Sequence, residues 1–516
     1  MNVLSTVGDT SRPHLALRRG GGIHVRRKAL LQGRPSRRER PERGPNWRKQ
    51  MAIQCAYDRA KHLAGGPFGP QERRRRMFKL GWFVNGFSPK TWTGPWGGVG
   101  GTEWMGPKFW IDVAQGLERG GFDMFFMEDS SMIEDTYRGS MEVTLKYPEM
   151  APKNDPMPLM PLLAAHTQSI GLVSTISVIQ YHPFLAARLG ATLDHLTEGR
   201  IGFNVVTSVS HRVAQNFGFD QHFAHAERYA MAEEWMDAVR ALWDTWEPDA
   251  LVLDTEEPRF ADHTKVHTAD FNGKYFKSRG PLNTLPGPQG HPVIAQAGGS
   301  PRGRDLAARN AEVMLGLVNS PEEMVAFRAD MDERLRKFGR DPEDLHIFFM
   351  CHAYIGETDR HAQERFDEVQ SHRFDFDEIE KRLWTMSYTS GGEIDYAKYD
   401  LHGPVPTTLG NGETTTHKAT LAAAADGKSL YDLVTGRSTY GMDFIGSAKT
   451  IAAQMKEVMD STGRPDGFLI QGIEDELSRR SLAEITDGLC AELRRQKLIR
   501  SGYNHKTFRE NLADWG

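Results

Sequence analysis

Eight short apolar runs, each followed by a loop and in most cases by an amphipathic segment, constrain this chain more than any other feature. They begin with "FKLGWFVNG" from Phe78, "FDMFFMED" ending at Asp129, "IGLVSTISVI" from Ile170 and "RIGFNVVTS" ending at Ser208. "PVIAQAG" from Pro292, "AEVMLGLV" from Ala311, "LHIFFMCHAYIG" from Leu345 and "DGFLIQG" from Asp466 complete the set. The runs are nearly continuous rather than alternating, as expected of strands buried on both faces of a parallel sheet. Helical patterns such as "EMVAFRADMDERLRKFG" and "SAKTIAAQMKEVMDSTG" lie between most of them. Eight such units predict a (β/α)8 barrel whose chemistry sits at the C-terminal ends of the strands.

Two segments break the rhythm, at about 246–291 and 373–445. Both are polar and rich in turn residues, the first with a hairpin signal in "HTADFNGKYFKSRGP". Insertions of this size in a barrel commonly serve as lids or partner surfaces. The rest, 77–516, reads as one barrel domain. No run of about 18 apolar residues exists, which argues against a membrane-spanning helix. Three widely spaced cysteines, Cys55, Cys351 and Cys490, argue against a disulfide framework or a thiolate metal site and fit a reducing, cytoplasmic setting.

The net charge of −4 conceals an asymmetry. Residues 1–76 hold 16 Arg and 3 Lys against 5 acidic residues, and the remainder is acidic. This piece is rich in Gly and Pro and poor in large apolar residues, so it is expected to be disordered and to stand outside the fold. A nucleic-acid-binding arm, a transit peptide, a twin-arginine signal and a start assigned too far upstream compete for it. The twin-arginine reading lacks its apolar region, and Met51 and Met77 offer alternative starts. A misassigned start fits best, with a true basic tail as the alternative and no nucleic-acid partner expected.

Polar residues cluster where the strands end. Asp129 closes the second, Thr175 and Ser177 lie in the third, and Thr207 and Ser208 close the fourth. After the fifth, "AGGSPRGRDLAARNAE" places two glycines, an N-capping Ser300 and Pro301 before a helix. Glycines permit positive φ and close approach, and a helix start offers unpaired N–H groups and a positive dipole end. An anion such as a phosphate suits that turn, although an ordinary capped turn has the same pattern. "HAERYAMAEEWMDAVRALW" carries His225, Arg228 and Tyr229 at the start of a helix whose apolar stripe faces the core. The pair His222 and His225 lacks a carboxylate or cysteine at ligand spacing, so no metal is expected. "GPWGGVGGTEW" does not fit the dinucleotide pattern G-x-G-x-x-G, because Glu103 stands at the sixth position counted from Gly98.

The motifs "LERGGFDMFFMED", "ATLDHLTEGRIGFNVVTS", "AHAERYAMAEE", "VIAQAGGSPRGRDLAARNAE" and "DGFLI", followed by "GYNHKTFRENL", resemble the luciferase-like flavin-dependent monooxygenases. The likeness is to the branch with nitrilotriacetate monooxygenase, pristinamycin IIA synthase and dibenzothiophene-sulfone monooxygenase, over about 77–512. The resemblance implies a (β/α)8 barrel of the bacterial-luciferase type and reduced FMN as cofactor. It assigns flavin contacts to Asp129, Thr175, Ser208, His225 and Tyr229, with Gly299 and Ser300 gripping the phosphate. It implies a two-component monooxygenase in which O2 gives one oxygen atom to a small organic substrate and the other to water. A separate NAD(P)H:FMN reductase would supply electrons, since no nicotinamide site is visible, and a homo-oligomer is expected. An F420-dependent oxidoreductase of the same superfamily and a non-catalytic flavin-binding protein are the alternatives. The chain departs from its relatives in one respect: no histidine lies between Lys79 and Trp110, where many carry one near the flavin. That loop instead holds Phe87, Trp92, Trp96 and Trp104, which suggests an apolar wall and an apolar or aromatic substrate.

Overall fold

The computed structural model describes residues 77–84, 100–148, 150–437, 441–462, 464, 466–472 and 478–515. The strands are β1 Lys79–Val84, β2 Met124–Met127, β3 Gly171–Ser177, β4 Ile201–Val206, β5 Val293–Gln296, β6 Val313–Gly316 and β7 His346–Ile355, then β8 Met442–Gly446 and β9 Gly467–Gln471. β1 to β7 pair in chain order, β7 pairs with β9, and β9 returns to β1, all parallel. Eight strands therefore close a barrel, and they are the eight apolar runs of the sequence. Closure removes the free edges that an open sheet exposes. The remaining strand, β8, adds to the upper half of β7 from Cys351 to Ile355.

The strands are apolar on both faces because each face has its own core. Phe126, Val173, Val293, Ala295, Leu315, Phe348, Met350 and Leu469 fill the barrel interior. A larger shell, including Trp82, Trp110, Phe203, Ile347 and Phe468, packs between barrel and helices. The helices used below are α1 His225–Trp243, α2 Pro301–Asn310, α3 Phe376–Thr389, α4 Thr414–Ala425, α5 Ala448–Thr462 and α6 Phe508–Ala513. In α1 the expected stripe is buried, from Tyr229 through Trp235, Met236, Val239 and Leu242 to Trp243. Among the described residues, no helix is long and apolar enough to cross a membrane.

The N-terminal end of the barrel is plugged. Phe508 and Leu512 of α6 belong to the interior core, and a Cβ on Gly171 would sit 2.3 Å from the Phe508 ring. Lys79 donates to the carbonyls of Asn511 and Asp514 at 3.2 and 2.7 Å. Arg509 pairs with Glu312 and donates to the Gln289 carbonyl at 2.5 Å. Among the described residues this end is closed, which leaves the opposite, C-terminal mouth as the expected place for a ligand.

The first insertion holds two small hairpins, Leu251–Asp254 with Arg259–Ala261 and Phe271–Asn272 with Lys277–Ser278. The second is the hairpin expected there. The insertion at 373–445 is more ordered than its turn-rich sequence suggests, for it supplies α3, α4 and β8.

Candidate active site

The polar strand ends meet at the C-terminal mouth. The Thr175 hydroxyl donates to the Met127 carbonyl at 2.9 Å and accepts from Asn204 Nδ2 at 3.0 Å. Ser177 and Ser208 share a hydroxyl hydrogen bond of 2.7 Å. Ser208 has φ 58°, a left-handed conformation that serine seldom adopts. Arg228 holds it there by donating to its carbonyl at 2.5 Å.

After β5 the chain turns through Gly298 and Gly299 into α2. Neither glycine uses the positive φ that glycine permits. Space is the reason for glycine at 298: a Cβ would lie 2.7 Å from the Tyr229 hydroxyl and 2.9 Å from the Gln296 side chain. The tight turn continues at Gly303, where a Cβ would come within 2.5 Å of the Gly298 carbonyl. Ser300 caps the helix by accepting from the Gly303 N–H at 3.1 Å. Burial raises the pKa of the Tyr229 hydroxyl, and the nearby Ser300 side chain opposes that rise. A buried hydroxyl and the start of a ten-residue helix thus converge on one spot, an arrangement suited to a phosphate.

Burial sets the electrostatics. Asp129 is pushed up to about 7, chiefly by desolvation, against the opposing pull of Lys153 and with further elevation from Glu128 and Asp155. Lys153 itself pairs with Glu128 at 2.7 Å. His225 is lowered by burial and then by Arg228, so its imidazole is neutral at pH 7. Its Nε2 lies 3.1 Å from the Thr414 hydroxyl. His222 falls to about 4, again by burial, and both ring nitrogens have structural partners: Nε2 meets the Thr207 carbonyl at 3.0 Å and Nδ1 accepts from Phe223 N–H at 3.1 Å. Among the described residues, no three His, Cys, Asp or Glu side chains are grouped to hold a metal.

Sequence reasoning missed the contribution of the second insertion. Arg228 is almost fully buried and bonds only to carbonyls, those of Ser208, Asn411 at 2.6 Å and Gly412 at 3.4 Å. Asn411 accepts from the His225 N–H at 2.8 Å and donates to the Phe223 carbonyl at 2.8 Å. Glu393 pairs with His211 at 2.7 Å and accepts from the Asn411 N–H at 3.0 Å. The insertion is therefore stitched to the same turn of α1 that carries His225 and Tyr229. Tyr388 of α3 is acted on by Glu128, Glu413, Glu134 and Asp129, and burial together with these carboxylates lifts its pKa well above the usual tyrosine range. No local motif announces the bonds that His225 and Arg228 make to Asn411, because these partners are more than 180 residues apart.

The aromatic wall is corrected at one position. Trp104 packs in the outer core, and its carbonyl accepts from Trp110 Nε1 at 2.6 Å. It is a core residue rather than a lining one, because its indole is already covered by the shell around Trp110. Phe87, Trp92 and Trp96 lie outside the described residues.

Comparison with known proteins agrees with the fold. The model of the luciferase-like monooxygenase family matches residues 84–464. A dibenzothiophene-sulfone monooxygenase of Rhodococcus erythropolis is 34% identical over 424 residues, covering 80% of this chain and 90% of the relative. A dimethyl-sulfide monooxygenase of Hyphomicrobium sulfonivorans is 33% identical, covering 78% and 83%. Among solved structures, a riboflavin lyase with modified FMN and riboflavin superposes with TM-score 0.73 at 27% identity, covering 85% of this chain and 96% of that one.

Proposed function

The chain belongs to the luciferase-like monooxygenase family, and from that premise we propose that it is the oxygenase of a two-component pair working with reduced FMN. The convergence of the buried Tyr229 hydroxyl, the Gly298 turn beside it and the Ser300-capped start of α2 carries this reading. Tyr229, Ser300 and the Gly299 backbone would hold the phosphate, and the Gly298 cradle, which a Cβ would fill, fits that role. Asp129, Thr175, Ser208 and His225 would line the rest of the cofactor. Asn204 supports the fit, for its buried Oδ1 has no hydrogen-bond partner beside Thr175.

Reduced FMN, when bound, supplies the electrons that activate O2, so that one oxygen atom enters the substrate and the other leaves as water. The residues of the chain orient and shield. Neutral His225 and partly protonated Asp129 offer hydrogen bonds without fixed charge. The stitched insertion limits the access of bulk water, which would divert the reaction toward peroxide. The mouth suits an apolar or aromatic substrate. Phe83 packs against Phe126 with ring centres 5.5 Å apart and planes tilted by 33°, which offers aromatic surface there. Residues 1–76 lie outside this catalytic unit, and a cytoplasmic homo-oligomer is part of the same proposal.

Electron supply provides the test. The purified protein with NADH should consume no O2, and adding an FMN reductase with FMN should start consumption. Rapid NADH oxidation by this chain alone would refute the two-component reading.

A further inference from the structure

The register of β7 places at the mouth a histidine that the cofactor site does not use. Met350 lies opposite Leu469, Leu469 opposite Gly81, and Phe83 opposite Gln471. Met350 and Leu469 belong to the barrel interior. Side chains two residues apart on a strand share a face, so His352 joins Gln471 and Phe83 in the next layer toward the mouth. On the other edge of β7, β8 pairs Asp443 with His352. Met442 and Phe444 pack in the outer shell, which turns Asp443 to the same side as the histidine.

The two side chains meet. His352 Nδ1 lies 3.2 Å from Asp443 Oδ1, and Arg437 donates to Asp443 Oδ2 at 2.6 Å. They are 17% and 14% exposed, so the pair is shielded yet reachable. The same surroundings, through His352 and Arg437, hold the Asp443 carboxyl below its ordinary range despite burial. A carboxylate at Nδ1 fixes the tautomer with the proton on that nitrogen and leaves the Nε2 lone pair free to accept another. Asp443, with Arg437 behind it, supplies the charged groups bonded into the pair.

We propose that His352, oriented by Asp443, is an acid–base residue of the substrate site, and that its substrate is an aromatic ring bearing an ionisable hydroxyl. The proposal rests on the reading of the mouth as an oxygenase site for an aromatic substrate. Nε2 takes the hydroxyl proton: the O–H bond breaks, an N–H bond forms, and the oxygen keeps the electron pair as phenolate. Asp443 balances the imidazolium charge until the proton passes to solvent. The phenolate ring is richer in electrons than the phenol and so accepts an oxygen atom more readily. The fused placement also gives β8 a purpose, since the second insertion returns to the barrel at the residue that orients the base.

The test uses 4-nitrophenol, whose phenolate absorbs visible light, titrated with the full chain at a pH where the free dye is mostly protonated. Bound dye should show the phenolate spectrum. His352→Gln should weaken binding at least tenfold and leave bound dye neutral, and Asp443→Asn should fall between. 4-Nitroanisole, the same ring without the proton, should bind wild type and His352→Gln equally. Reduced-FMN affinity should be unchanged in both variants. A neutral bound dye in wild type, no dye binding, an unchanged spectrum in His352→Gln, or an equal loss of nitroanisole would overturn the proposal. Failure of the wild-type chain to bind reduced FMN would instead overturn the functional reading beneath it.

Discussion

Adding one methyl group at Gly298 should weaken reduced FMN binding through Tyr229. The Cβ of Gly298→Ala would lie 2.7 Å from the Tyr229 hydroxyl, well inside normal contact. Gly298 does not take a positive φ, so alanine brings no backbone strain of its own. The Gln296 amide, 2.9 Å from the same Cβ, is buried and accepts from the Gly298 N–H, so it resists the methyl as well. Tyr229 is buried in the core and cannot move aside either. Overpacking of this kind costs about 1–3 kcal/mol, which corresponds to a loss of roughly five- to 150-fold in affinity if it falls on the bound state. Tyr229→Phe removes one hydrogen bond to a charged group, about 1.5–3 kcal/mol. The phenylalanine also removes the nearer of the two groups with which the new methyl collides. The double variant should therefore lose less than the sum of the two single losses, a non-additivity that marks a shared contact. Anaerobic equilibrium dialysis with reduced FMN measures all four proteins. Unchanged affinity in Gly298→Ala, or strictly additive losses, would refute the assignment of the phosphate grip.

Three further outcomes follow from the same structure. Asp129 holds its proton up to about 7 when folded against 3.8 for the free group. It therefore contributes stability below about pH 4 that is lost as pH rises through 7, and denaturant titrations of Asp129→Asn should show a shallower decline over that window. Phe508→Ala should lower stability by about 3–5 kcal/mol by emptying the plug of the barrel, detected as a lower Tm with reduced-FMN affinity within about twofold of wild type. A chain beginning at Met77 should retain both Tm and FMN affinity, and a loss of several degrees by calorimetry would show that residues 1–76 contribute to the fold.

The barrel was legible because its eight strands are buried on both faces, which produces continuous apolar runs such as "FDMFFMED" and "IGLVSTISVI". β8 escaped for the opposite reason. Met442 and Phe444 face the shell while Asp443 and Ile445 face away, so "MDFIG" alternates and is too short to stand out. Helix α3 was hidden in the same way, since its charged face made "FDEIEKRLWTMSYT" read as part of a polar insertion. The capping role of Ser300 and the strand-end positions of Thr175 and Ser208 follow from local pattern. Arg228 does not, because its function depends on carbonyls at Ser208, Asn411 and Gly412 that only the closed fold brings together. Of the two properties the glycine turn offered, freedom in φ is unused and close approach is used, at Gly298 beside the tyrosine hydroxyl.

The most direct measurement is the anaerobic affinity of the full chain for reduced FMN, set beside reduced riboflavin and reduced F420. A buried tyrosine, a capping serine and a helix start come together in the turn after β5, where the phosphate is proposed to sit. Reduced FMN should therefore bind at one per chain, and reduced riboflavin, which lacks the phosphate, at least tenfold more weakly. F420 should not compete. Equal binding of riboflavin and FMN would show that the turn after β5 grips no phosphate, and preferential binding of F420 would contradict the identification of the cofactor itself.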